Sequence, residues 1–356
     1  MPWRTIQNTI DHIANTHQDM AYMIMTGDLP PHALWSSSQT ENTDIMKRLN
    51  AALAKRFPNI TIYPTIGNHE AHPLNSFGPL ELTNVTGVYS NMTPAWLFES
   101  AAEAWSMWLP SEALETVKLG GFYSVLQQPG FRIIALNSNL CYVLNWWQIY
   151  EYKDPYGMLA WLVKELTEAE RRGEKVHIIG HLPPGSVDFR DTITAQFYGH
   201  THFEEFKLVF APNSKRRRVG RPISAAFIGG SVSSYTDLNP NYKVFIADGG
   251  YRGASWANLG GVNVPPSWFR EFSAREDLEL ASISPVDLHH LVLRMVDDDA
   301  LFRKFYGYYV KRGDTSLAKG CDTACREEVL CNLVTSDYGD LSHCSEVKRR
   351  LQARRR

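Results

Sequence analysis

In the segment ITAQFYGHTHFEEF, residues 193–206, an apolar run ends in a glycine and two histidines one residue apart. In extended backbone, residues i and i+2 face the same side, so His200 and His202 can aim two imidazoles at one point. Two solvated loop histidines are the plain alternative, and the other strand ends decide between the two. AYMIMT (21–26) runs into GDLPPH, NITIYPTI (59–66) into GNHE, and KVHII (175–179) into GHLPPG. Each is a short apolar run followed by a glycine-led polar loop. Glycine lets the backbone turn sharply or approach a ligand closely. The pattern predicts an α/β fold whose ligand site lies at the carboxyl ends of strands.

The intervening sequence fits that architecture. Trp3, Ile6, Ile10 and Ile13 recur at helical spacing, and residues 40–57 read as a helix stopped by Pro58. Residues 94–109 read as a helix. GFYSVL and FRIIALN read as a hairpin around QQPG, and residues 158–173 as an amphipathic helix closed by Gly173. EFKLVF, PISAAFIGG and YKVFIAD are further strands, 255–282 reads as irregular, and the remainder as helical. The expected division is a core over 1–254, a helical region over 255–348 and a basic tail over 349–356.

The chain has 356 residues, 44% hydrophobic and 21% charged, a globular composition. A net charge of −2 gives no argument for nucleic acid. KRRR (215–218) and the terminal KRRLQARRR read as a solvated turn and a frayed tail. No run reaches the roughly 20 apolar residues of a membrane span. Of five cysteines, Cys321, Cys325, Cys331 and Cys344 cluster, which fits a disulfide-stapled region in an oxidising compartment; a zinc knuckle is the rival, without its usual CxxC spacing. Sequons at Asn59, Asn84 and Asn91 add weight to a secretory route. The first residues carry no apolar signal core, and the natural start is therefore expected further upstream.

The strand-end loops offer Asp28 and His32, Asn68 and His69, His181, and His200 with His202. Imidazole and carboxylate suit zinc and similar divalent ions. Two such ions activate water and clamp a phosphate ester, and an unligated histidine supplies the leaving group's proton. In this order, GD, GNHE, GH and GHTH resemble the calcineurin-like metallophosphoesterases. GDLPPHALW, YPTIGNHEAHPLNSFGP, HIIGHLPPG, AQFYGHTHFEEF and LNPNYKVFIADG are similar to the acid sphingomyelinase family within them.

That resemblance implies a two-sheet, four-layer α/β sandwich with a helical, disulfide-rich C-terminal region. It implies hydrolysis of sphingomyelin to ceramide and phosphocholine by metal-activated water, peripheral contact with a lipid surface, and a secreted or lysosomal location. Asp28 matches a carboxylate bridging two zinc ions. Asn68, His181 and His200 match the other ligands of one ion, and His202 a ligand of the second. His69 and His32 match the histidines that protonate the leaving alkoxide. The resemblance also implies Cys321–Cys325 and Cys331–Cys344 pairs. His72, His177, His289 and His290 match no motif and read as structural.

The sequence departs from that family in places. The family's first motif, Asp-x-His, is absent, as is its saposin-like domain, so one well-formed zinc site is expected and the second is left with two ligands. The loop between GHLPPG and ITAQFY is shortened, with Val187 where a cysteine is expected and Cys141 without its partner. An edge strand without its neighbour would be a folding liability. Two alternative functions remain open at this stage. One is a phosphodiesterase for other phosphate esters; the other is a catalytically impaired or non-catalytic secreted scaffold.

Overall fold

The computed structural model describes residues 2–84, 92–183, 192–211, 220–245, 254–258, 269–337 and 339–354. They fall into two compact units: residues 7–183 with 192–200, and residues 201–354 with the first few residues.

The first unit is built on two sheets. In one, β1 (Met23–Met25) pairs in parallel with β2 (Ile62–Pro64), in register from Met23 against Ile62 to Met25 against Pro64. The other runs in the order β3 (Tyr123–Gln128), β4 (Phe131–Ala135), β5 (Lys175–Ile179), β6 (Ile193–Tyr198). The β3–β4 pair is the expected hairpin; β4–β5 and β5–β6 are parallel. Aromatic side chains join the sheets. The Tyr123 hydroxyl donates to the Pro64 carbonyl at 2.9 Å, and the Tyr22 ring meets Tyr63 and Phe131. Ile62, Ile133, Ile134, Val176 and Ile179 are fully buried. Such burial of β-branched side chains on both faces is what near-continuous apolar strands require.

Helices flank the sheets. Helix α1 (Trp3–Thr16) follows the Ile periodicity, and α2 (Gln39–Arg56) begins at Ser38, whose hydroxyl accepts from the Glu41 N–H. The segment expected as one helix over 94–109 is α3 (Ala95–Trp105), followed by a turn and a new helix α4 (Ser111–Gly120). Pro110, with no N–H to give and extended backbone, restarts the chain there. Helix α5 (Met158–Arg171) ends as its sequence predicts, before Gly173. Strand β2 is shorter than the apolar run that announces it.

In the second unit, β7 (Glu205–Phe210) pairs antiparallel with β8 (Pro222–Ile228), and β9 (Asn241–Phe245), β10 (Ala254–Asn258) and β11 (Phe269–Ser273) form an antiparallel sheet. The last two strands and the short α6 (Ala274–Asp277) occupy the stretch expected to be irregular. Helices α7 (Pro285–Asp297), α8 (Asp299–Tyr309), α9 (Asp314–Lys319), α10 (Thr323–Val334) and α11 (Ser342–Ala353) follow. Leu291, Val292, Met295, Val296, Leu330 and Leu333 form their dry centre. Disulfides Cys321–Cys325 and Cys331–Cys344 are both formed, and Cys141 is free and exposed.

The basic C-terminus differs from the frayed tail expected of it. It is helical to Ala353, with Arg349 and Arg350 paired to Glu346 and Arg354 to Asp299. KRRR at 215–218, Asn91, Val187 and Asp248 lie outside the described residues. Among the described residues, no helix is long and apolar enough to cross a membrane.

Candidate metal centre

The carboxyl ends of β1 and β2 lie level, so the loops they feed, 27–32 and 67–72, start side by side. Gly27 has φ +85°, and a Cβ on it would stand 2.3 Å from the Gly67 nitrogen. A Cβ on Gly67 would stand 2.3 Å from the Asp28 nitrogen and from its Oδ1. These two glycines are the condition for the loops to touch backbone to backbone. Asp28 itself is held in the left-handed region at φ +60°, and His200 at +73°. Such strain at non-glycine residues gathers where side chains are held for function.

Glu70 holds the Asp28 turn. Its carboxylate, 2% exposed, accepts the backbone N–H groups of Asp28 (3.1 Å) and Leu29 (2.9 Å). The Asn42 amide in turn donates to the carbonyls of His69 and Glu70. Asp28 Oδ1 accepts the His69 N–H at 2.9 Å, which leaves Oδ2 for the centre of the site.

Four donors converge there. A carbonyl can only accept, so His181 Nδ1, 2.6 Å from the Thr26 oxygen, carries a proton and turns Nε2 inward. Nε2 lies 3.1 Å from Asp28 Oδ2, 3.0 Å from Asn68 Oδ1 and 3.2 Å from His200 Nδ1. Asn68 gives its amide nitrogen to Asn75 Oδ1 (2.9 Å), so its oxygen also faces in, 3.0 Å from His200 Nδ1. The far nitrogen of His200 meets the Tyr142 hydroxyl at 3.4 Å. Among the described residues, Asp28, His181 and His200 are the one group of His, Cys, Asp or Glu side chains placed to hold a metal ion. Asn68 adds a neutral oxygen to the set.

The electrostatics show what such a set demands. Acceptor-type atoms crowded together need a positive charge among them. Burial pushes the His181 pKa down, but the Asp28 charge and hydrogen bond more than offset it and leave it raised. Burial also works to raise Asp28; the charge of His181, its hydrogen bond and His69 prevail and hold the carboxyl well below the usual range. His200 is pushed down to about 4 by burial and by the charge on His181. Glu70 is pushed up to about 7 by burial and by Asp28. Without a cation the negative charge of Asp28 thus favours the protonated form of His181. A divalent cation of the zinc type meets the demand with the same donors, so the residues fit a metal.

His69 is buried beside this cluster. Its ring lies 4.2 Å, centroid to centroid, from that of His32, whose pKa is lowered by burial and then by His69. The two histidines expected to handle protons therefore stand together. His202 belongs to the second unit, where its ring meets Tyr235 edge-on at 6.0 Å. His177 packs against Phe131 and Phe197 with Tyr22 on its Nδ1, and His72 meets Ser37. His289 lies against Phe210, on α7 with His290. The sequence pattern gave no weight to Glu70, Thr26, Asn75 or Tyr142 as parts of the centre. The signal within reach was Glu70 itself, an acid directly after His69 in the loop that follows β2.

The sequence profile of the calcineurin-like phosphoesterases matches residues 2–204. The chain is 37% identical, over 93% of its length, to a protein of Bos taurus named sphingomyelin phosphodiesterase, covering 55% of that protein. It is 30% identical, over 98%, to sphingomyelin phosphodiesterase 2 of Caenorhabditis elegans, covering 59% of it. It is 26% identical, over 96%, to the human cyclic GMP-AMP phosphodiesterase SMPDL3A, covering 80% of it. The chain thus spans little more than half the length of the sphingomyelin phosphodiesterases it matches.

Proposed function

Because the chain belongs to the calcineurin-like phosphoesterase family, we propose that it hydrolyses sphingomyelin to ceramide and phosphocholine in the manner of an acid sphingomyelinase. The observation that carries this reading is the convergence of Asp28, Asn68, His181 and His200 beside the His69–His32 pair, in a chain 37% identical to a sphingomyelin phosphodiesterase.

In this reading Asp28, Asn68, His181 and His200 hold a divalent cation, zinc by the chemistry of its donors. When bound, such an ion supplies Lewis-acid polarisation of a phosphoryl oxygen and acidifies a water molecule. The chain's own residues do the rest. Glu70 fixes the backbone turn at Asp28 and the His69 N–H holds its Oδ1, so Oδ2 remains directed at the cation's position. His69 and His32, ring against ring, stand where a proton would pass to the leaving oxygen. The lowered pKa of His32 makes its imidazolium a ready donor to the departing ceramide alkoxide. The two disulfides support a secreted or lysosomal setting.

The test is phosphocholine release from sphingomyelin by zinc-loaded protein, run beside cyclic GMP-AMP. Release from the lipid, abolished by Asp28→Asn, is the expected result. Turnover of the nucleotide alone would assign the chain to other phosphate esters. No turnover of either, with metal bound, would leave a scaffold.

A further inference from the structure

The first unit carries a run of large apolar side chains in solvent. Residues 142–152 read YVLNWWQIYEY. Val143 is 83% exposed, Trp146 77%, Ile149 88%, and Tyr150 and Tyr152 70% each. Single exposed apolar residues are ordinary on soluble proteins; so many in one short segment mark an interaction surface. Burying them against solvent-free surroundings would be strongly favourable.

The segment is anchored. Asn145 exchanges hydrogen bonds with both backbone groups of Phe77, each 3.2 Å, and Trp147 donates to the Ser76 hydroxyl at 3.0 Å. The Gln148 amide donates to the Tyr142 carbonyl. At its start, Tyr142 reaches the far nitrogen of His200, and Ser76 follows Asn75, the partner of Asn68. The apolar projection is therefore fixed to the rim of the metal centre. A second projection, Trp35, is 89% exposed and follows His32 by three residues.

We propose that Val143, Trp146 and Ile149, with Tyr150 and Tyr152 around them, seat the protein on a zwitterionic lipid surface and bring headgroups to the metal centre. The inference rests on the phosphodiesterase reading of that centre. Charge selects the occupant. Across residues 142–152 the sole formal charge is Glu151, and Lys153 and Asp154 cancel just beyond it. An anionic surface or a nucleic acid calls for clustered lysine or arginine, which this segment lacks. A choline headgroup layer has no net charge to match. Tyrosine and tryptophan favour the headgroup level, where the ring is dry and the polar edge wet. Val143 and Ile149 have no polar edge and reach deeper. A lipid diester whose phosphate enters the centre keeps its chains in the bilayer, so the rim beside His200 is where contact is required.

The experiment uses the full chain loaded with zinc and the double variant Trp146→Ser/Ile149→Ser, both confirmed as folded by circular dichroism. Co-sedimentation with phosphatidylcholine–sphingomyelin vesicles is measured beside hydrolysis of the soluble diester bis(p-nitrophenyl) phosphate. The variant is expected to partition at least about tenfold more weakly and to turn over vesicle sphingomyelin correspondingly less, with soluble-diester hydrolysis unchanged. Quenching of wild-type fluorescence by brominated phosphatidylcholine, lost in Trp146→Phe, is the second readout. Unchanged vesicle binding in the variant overturns the proposal. So does equal loss of soluble-diester hydrolysis, or a wild-type dimer that the substitutions dissociate. If neither protein hydrolyses any diester while vesicle binding still falls, the seating surface stands and the catalytic reading fails.

Discussion

His181 Nδ1 lies 2.6 Å from the Thr26 carbonyl oxygen, and that contact decides which nitrogen of the ring faces the metal centre. Thr26 is the last residue of the apolar run before Gly27, so the strand end itself sets the tautomer. Replacing His181 by Asn removes both the inward nitrogen and the backbone anchor. Zinc affinity of His181→Asn is expected to fall more than about a hundredfold, measured by titration against a chelating indicator.

Glu70 satisfies two backbone N–H groups at once, in a place closed to water. Glu70→Ala leaves both unpaired and is expected to lower stability by about 2–4 kcal/mol in urea denaturation. Glu70→Gln keeps one acceptor oxygen and should lose markedly less. A metal affinity that falls in step with stability would identify the Asp28 turn as the shared cause.

The ring pair of His69 and His32 gives a different signature. His69→Gln is expected to lower kcat by about a hundredfold to ten-thousandfold while zinc content per chain stays the same. His32→Gln should cost less, because His69 remains beside the same point. Metal loss in either variant would place that histidine in the cation's cradle instead.

His177 makes the protein sensitive to acid away from the centre. Burial holds its pKa near 4, against the usual 6.5. Below pH 6.5 the unfolded chain takes up the proton first, so stability present above that pH is lost as the pH falls towards 4. The full loss from this one ring is about 3 kcal/mol. His177→Gln does not titrate there, and its polar head can still meet the Tyr22 hydroxyl. Its denaturation midpoint should change less than that of the parent chain between pH 6.5 and 4.

The two disulfides close loops of different size, with sequence separations of 4 and 13. By chain entropy, Cys331→Ala/Cys344→Ala should cost about 2–3 kcal/mol and the Cys321–Cys325 pair less. Thermal melts of the two double variants compare them directly.

Much of the fold was legible because the strands that build the centre are apolar runs ending in glycine. Asp28, Asn68, His181 and His200 each follow such an end, and the structure brings them together. The supporting contacts were not legible, because they join distant loops through backbone groups. Nothing local in GDLP says that its N–H groups belong to Glu70, and nothing in Thr26 says that its carbonyl orients His181. The helix expected over 94–109 ends at Trp105 instead, and a turn leads to Pro110, which caps the next helix. Strands β10 and β11 escaped notice because their polar residues, among them Arg270 and Glu271, hide any alternation. The basic end was read by charge alone, although Glu346 stands one helical turn before Arg350.

The centre joins residues far apart in the chain: 155 positions separate Thr26 from His181, and 132 separate Asn68 from His200. During synthesis, Asp28 and Asn68 emerge long before either histidine that completes their set. A cation therefore has no full cradle to enter until the polypeptide has been made past His200, and it can reward only the late closure of the first unit. A nascent chain halted before that point would have to keep its β1–β2 pair together by backbone hydrogen bonds and by the hold of Glu70 and His69 on the Asp28 turn. A cation bound there would then be a seal on the first unit and not a seed for it.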